Sequence, residues 1–299
     1  MEVAQADYTL GLLREAAGFS ETMVLSPFSI TSAFAVACLG ADGNTKKEIH
    51  DLFAKGCSED EFHSYVSQNV KDIANGSETY TLSTANRLFH DRAFKIEEDY
   101  LKTVGTKYFG QLEPADFSNS EKTAAVEMMH KIDSFDYYSD DSVQVLGIPY
   151  EGNEVKMLIF LPVEKFGLTK FLTNIDGKKL LQYMMRTSRT KVEVGMPKFC
   201  LEIQFELSGV LGRMGLSEAF SDSANFRKMS AQSLFISTVL HKAFIEVNEE
   251  GTEAAAATAI AVSTTSLHFE RPTPTFTADH PFMFVIAKGN TLLFAGKYY

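Results

Sequence analysis

The chain has 299 residues and a formal charge of -11, with 39 acidic against 28 basic side chains. That length allows one large domain or two modest ones, and 45% hydrophobic content with 24 phenylalanines is ample for a packed core. The acidic balance argues against nucleic acid or an anionic membrane as partner, and no cofactor is called for. Arg186, Arg189 and Lys191 are the nearest approach to a basic cluster, and they read as a solvated turn before a strand.

The three cysteines, Cys38, Cys57 and Cys200, are odd in number and far apart, which is no disulfide framework and fits a reducing compartment. Cys38 lies in the apolar run from Ala33 to Leu39 and reads as a small core residue. The seven histidines do not pair at helical intervals, and no metal-ligand spacing occurs. Glu2, Asp7 and Arg14 interrupt the N-terminal apolar residues, so a signal peptide is not expected there, nor is a membrane-spanning run anywhere. Cytoplasmic residence is the expectation, with unconventional secretion as the alternative.

In chain order, Tyr8, Leu10, Leu12, Leu13 and Ala16 give residues 6–17 the apolar stripe of a helix. Ser29 to Ser32 is expected to cap a second helix ending near Gly40, and Thr45 to Phe53 forms a third. Leu82 to Phe89 reads as a strand and Glu97 to Phe109 as a helix. Gln144 to Pro149 and Val155 to Leu161 form a hairpin about Glu151-Gly152-Asn153. Lys191 to Phe199 is expected as a strand, Phe205 to Met214 as a helix and Leu234 to Val247 as a long strand. A last hairpin, Phe282 to Ile286 and Leu292 to Ala295, turns at Lys288-Gly289-Asn290. With no repeat, linker or composition break, the class is α+β in a single domain over residues 1–299.

One segment stands apart. After the strand-like run to Val247 come Glu249, Glu250, Gly251, Thr252, Glu253, Ala254, Ala255, Ala256, Ala257 and Thr258, then a polar, proline-dotted stretch to Asp279. By itself this reads as a short exposed helix, since alanine and glutamate are strong helix formers. A glycine followed by small side chains also suits a segment that slides between two strands.

The surrounding motifs favour the second reading. Met23-Val24-Leu25-Ser26-Pro27-Phe28-Ser29-Ile30 followed by Gly40-Ala41-Asp42-Gly43-Asn44-Thr45, the run from Val239 to Glu253, and Asp279-His280-Pro281-Phe282-Met283-Phe284 with Leu293-Phe294-Ala295-Gly296-Lys297 occur in one order. That order resembles the serpin family, of the intracellular clade-B-like or invertebrate type. The resemblance implies a serpin fold: a multi-stranded main sheet A, sheets B and C, several helices and an exposed reactive-centre loop at about residues 249–275. It implies no enzyme but a protease inhibitor that acts as a suicide substrate of a serine, alternatively a cysteine, endopeptidase. It assigns Glu250, Gly251, Thr252, Glu253 and Ala254 to Ala257 to the hinge that enters the main sheet. It also assigns Ser26, Ser29 and His241 to the shutter that latches the sheet centre. The family's usual loop length puts the reactive bond at Thr265-Ser266, with Leu267 and Phe269 as alternatives.

Thr265 before the bond suits a protease with a small, shallow pocket; Leu267 or Phe269 suits a chymotrypsin-like or cathepsin-like one. Pro272 after Arg271 leaves no N–H beyond that bond, which discounts trypsin-like targets. A Ser/His hydrolase is discounted too, because no Gly-x-Ser-x-Gly elbow surrounds Ser26 or Ser29.

The chain departs from the family between Ala125 and Val126. Ser118 to Ala125 resembles the start of the helix that crosses the main sheet, and Val126 to Ile132 resembles a strand that belongs several tens of residues later. Part of that helix and the third strand of the main sheet are expected to be missing. The chain also lacks tryptophan, which that strand usually bears. Hence the alternative reading: a non-inhibitory substrate or binding protein, a truncated isoform of an inhibitor. The expected state is a monomer that can link to further copies through loop and sheet edges.

Overall fold

A computed structural model describes residues 1–16, 21–74, 96–108, 128–248 and 273–299. The expected strand Leu82 to Phe89 and helix start Ser118 to Ala125 fall outside the described residues. So do the hinge Glu250 to Ala257 and the bond positions Thr265, Ser266, Leu267 and Phe269.

The described elements are α1 (Glu2–Glu15), β1 (Met23–Leu25), α2 (Pro27–Gly40), α3 (Gly43–Phe53), α4 (Glu59–Ala74), α5 (Glu98–Tyr108), β2 (Met128–Ser139), β3 (Val143–Pro149), β4 (Val155–Pro162), α6 (Leu168–Asn174), α7 (Gly177–Arg186), β5 (Ser188–Pro197), β6 (Phe199–Glu206), α8 (Ser208–Arg213), β7 (Leu240–Val247), β8 (Thr275–Thr277), β9 (Phe282–Lys288) and β10 (Thr291–Tyr298). They build an eight-stranded sheet in the order β1-β10-β9-β4-β3-β2-β5-β8 and a two-stranded sheet, β6-β7.

β9 shows why the central strands read as unbroken apolar runs. Met283, Val285 and Ala287 enter the core under the helices, while Phe282, Phe284 and Ile286 enter a second core on the opposite face. With both faces covered, every position is apolar and the two-residue alternation disappears. The second core also holds Ala243, Ile245 and Val247 of β7. Phe199 of β6 packs there against Phe282, Phe284 and Tyr298, with ring centroids 5.1–6.3 Å apart. The small sheet thus lies on the back of the large one.

Several expected boundaries need correction. The second helix is capped by Ser26 rather than by residues 29–32: the Ser26 side chain accepts the Ser29 N–H, and Pro27 takes the first helical turn, where no N–H is needed. The helix expected from Phe205 to Met214 begins only at Ser208, because Phe199 to Glu206 forms β6, pairing with β7 from Phe199↔Val247 to Glu206↔Leu240. Its pattern was legible as Phe199, Leu201, Ile203 and Phe205 alternating with Cys200, Glu202, Gln204 and Glu206. β7 starts at Leu240, not Leu234, and β5 runs from Ser188 to Pro197, so Phe199 opens the next strand. Arg186 closes α7 and lies over the Tyr138 ring, whereas Arg189 and Lys191 belong to β5. Of the run Val126 to Ile132, the residues from Met128 onward lie in β2, which continues to Ser139.

Candidate functional site: a latched strand at the root of a loop

β7 ends at Val247 in the small sheet, and the next described strand, β8, starts at Thr275 on the edge of the large sheet, parallel to β5. The segment between them is thus held by two different sheets. The loop expected to run to about residue 275 meets β8 at its first residue.

At the other end of β7 sits a polar cluster in an apolar setting. His241 is 7% exposed, and its Nε2 accepts the backbone N–H of Ser26 at 2.9 Å. The Ser26 hydroxyl donates to the Leu293 carbonyl at 2.7 Å while its oxygen accepts the Ser29 N–H at 3.2 Å. Leu293 is free to serve because the β9–β10 register shifts between Leu292 and Phe294, which leaves it outside the ladder. Three elements converge here: the end of β1 with the start of α2, the bulge of β10, and β7. Ser26 and His241 are brought into contact, and Ser29 joins through its backbone N–H. Sequence reasoning missed the Leu293 carbonyl, because a bulge that exposes a backbone oxygen carries no side-chain signature.

This geometry also disposes of hydrolytic chemistry. A nucleophilic serine needs its hydroxyl proton aimed at a base. Here that proton goes to a backbone carbonyl, and the imidazole lone pair is filled by an amide N–H.

Burial pushes the His241 imidazole down to about 4 from an ordinary 6.5. His63, buried beside Tyr108, is likewise pushed to about 4, chiefly by burial. At neutral pH both are uncharged, and the Nε2 acceptor role puts the His241 proton on Nδ1. Between pH 6.5 and 4 the unfolded chain binds a proton that the native His241 refuses, so stability falls as pH drops through that window. We expect His241→Gln to be less stable than wild type at pH 7. The gap should narrow by about 2 kcal/mol at pH 5, the linkage value for 1.5 pH units. Urea unfolding at the two pH values measures this, and a gap independent of pH would show that His241 is not held neutral.

Against known proteins, the family model described as "Serpin (serine protease inhibitor)" matches residues 3–125 and 119–299. Leukocyte elastase inhibitor A of Mus musculus is 32% identical over 349 residues, covering 91% of each chain. Serpin B6 of Pongo abelii is 28% identical over 353 residues, covering 93% of each. Among solved structures, uncleaved ovalbumin superposes with a TM-score of 0.81 at 23% identity, covering 99% of this chain and 98% of that one. Tengpin, a thermophilic serpin in its native state, gives 0.79 at 22% identity, with 99% and 93% covered.

The fold and the matches define a protease-inhibitor architecture rather than an enzyme. This chain belongs to the serpin family.

Proposed function

We propose that residues 1–299 form one serpin domain whose segment 249–275 is a reactive-centre loop, bait for a serine endopeptidase. The observation that carries this is the mounting of the segment, with β7 latched by Ser26 and His241 at one end and β8 paired to β5 at the other. In this reading the protease serine oxygen attacks the Thr265 carbonyl carbon and the Thr265–Ser266 C–N bond breaks. Ser266 leaves as a protonated amine, and an ester joins Thr265 to the protease. Gly251, Thr252 and the alanines to Ala257 then enter beside β7, in the sheet that β6 and β7 form among the described residues, carrying the acylated enzyme with them. Ser26, Ser29 and His241 hold the sheet centre against which the new strand registers. Leu267 and Phe269 remain alternative positions before the bond, both also suiting a cysteine protease. Three free thiols, Cys38 buried, Cys57 half-buried and Cys200 exposed, support residence in the reducing cytoplasm.

A specific set of observations supports a second reading, in which the chain is cut without trapping. An inserted strand needs partners on both sides, and among the described residues β7 pairs with β6 alone. The two family matches overlap at residues 119–125. The alignment to the mouse relative spans 349 positions against 299 residues here, so at least 50 positions face no residue of this chain. Both observations support the loss of an internal block about Ala125/Val126, the place of the third strand.

Incubation with elastase-, chymotrypsin- and cathepsin-type proteases, read on a denaturing gel and by mass spectrometry, tests the proposal. A detergent-resistant complex with a cut between Ser263 and Arg271 is the expected result. Cleavage there with full protease activity afterwards favours the second reading. No cleavage between 263 and 271 overturns the loop assignment.

A further inference from the structure

Two costly features meet in the turn between β4 and α6. Phe166 is 80% exposed, more than any other large apolar side chain among the described residues. Its φ of 62° also puts an aromatic residue in the left-handed region, where the Cβ is crowded. Val163, on the same turn, is 52% exposed. The backbone there is well braced. The Gly167 N–H donates to the Glu164 carbonyl at 2.8 Å and the Val163 N–H to the Ser142 carbonyl at 3.0 Å. Lys165 pairs with Asp279 at 3.2 Å and Lys170 with Glu164 at 2.7 Å. A Cβ on Gly167 would lie 2.7 Å from the Glu164 carbonyl, so the turn closes only around a glycine. Exposure and strain both count against the isolated chain, whereas a preordered aromatic knob suits burial by a partner.

Beside this knob lies a hole. A groove of about 210 Å³ opens between the β2–β3 turn and α6, with Pro162, Phe171 and Ile175 among its walls. Half-buried Phe171 is the middle ring of an aromatic row, 6.4 Å from Phe160 and 6.4 Å from Tyr183, its plane 29° from each. An apolar cavity of about 150 Å³ takes a benzene ring, so this groove has room for a phenyl group, and Phe171 offers it a stacking partner. Asp141 and Lys179 line the same groove. Neither has an ion pair among the described residues, and Lys179 lies instead over the Tyr183 ring. The matching occupant is a ring with a cation and an anion beside it. Glu164-Lys165-Phe166 is such a segment, and the existing pairs of Glu164 and Lys165 are exposed ones that hold them weakly.

We propose that residues 163–167 and the groove beside them form a self-complementary surface through which two copies of this chain associate about a two-fold axis. Each Phe166 enters the other copy's groove against Phe171. Lys179 of one copy meets Glu164 of the other, and Asp141 meets Lys165, each pair made twice by symmetry. One ring and two exposed ion pairs per copy make a small interface, so the dimer is weak and forms in the micromolar range. None of this depends on reading residues 249–275 as protease bait, and failure of that reading leaves the surface standing.

Sedimentation equilibrium of the full chain across micromolar concentrations is the test. The wild type should rise from the monomer mass toward twice that mass. Phe166→Asn, with a residue at home at positive φ, should weaken association about tenfold or more while melting no lower than dilute wild type. Lys179→Glu and Glu164→Lys should each weaken it about tenfold alone, since each sets like charges together twice. An equal mixture of those two variants restores both contacts and should associate within about threefold of wild type. This rescue also separates a lost contact from a damaged fold. A wild type that stays monomeric throughout overturns the surface. So does association that Phe166→Asn leaves at wild-type strength, or a mixture that associates no better than its components.

Discussion

Cutting the loop between Ser263 and Arg271 should raise the melting temperature of the intact serpin fold by roughly 15 °C. The figure follows from adding one strand of about ten residues beside β7 in the β6–β7 sheet, each new backbone hydrogen bond contributing about 1 kcal/mol net. Unfolding entropy of about 2.1 cal/mol/K per residue gives about 0.6 kcal/mol/K for a chain of this length, so about 10 kcal/mol becomes a shift near 15 °C. Calorimetry before and after limited proteolysis measures it. The gain requires a hydrogen-bonding partner on each side of the entering strand. β6 already occupies one edge of β7, and the entering strand takes the other. A melting point unmoved by cleavage would mean that nothing stands beyond it to complete the pairing, and the second reading would hold. The same experiment on His241→Gln separates latch from loop, since the latch contributes before and after the cut alike.

How far the sequence foretold this molecule depended on how local the signal was. The hairpin about Gly152 was legible because Gly152 and Asn153 both adopt positive φ, 81° and 59°, which glycine and asparagine tolerate best. Strand β6 was missed although its alternation was regular, because the apolar residues around Phe205 and Leu211 also fit a helical stripe. β4 and β9, buried on both faces, were read as strands without any polar alternation, because each is a short apolar run bounded by turn residues. Helices α4, α6 and α7 went unread, α7 being short, with Gly177 rather than a strong helix former at its first position. Gly177 is there for a tertiary reason: a Cβ would lie 2.6–2.9 Å from Asp7 and its neighbours in α1. The latch was legible only in part. Ser26, Ser29 and His241 could be picked out as residue types in motifs, but the Leu293 carbonyl that completes the contact emerges from a register shift, which no single residue announces.

Thr252→Arg should abolish trapping while leaving the rate of loop cleavage within about twofold of wild type. Thr252 lies thirteen residues before Thr265, outside the stretch a protease cleft grips, so the chemistry of acylation is untouched. In the proposed reading its side chain is nevertheless the first after Gly251 to pass into the sheet beside β7. The residues of β7 that face inward there, Ala243, Ile245 and Val247, are buried in an apolar core. Burying an unpaired charge costs several kcal/mol, and even about 3 kcal/mol added to the barrier slows insertion more than a hundredfold. Hydrolysis of the ester then outruns insertion, so the gel should show cut chain and free protease in place of a complex. Thr252→Ala, equally small, should trap as wild type does. Persistence of the complex in the arginine variant would place the hinge elsewhere in the segment. Loss of trapping in both variants would show that the hydroxyl itself, not the size of the side chain, governs entry into the sheet.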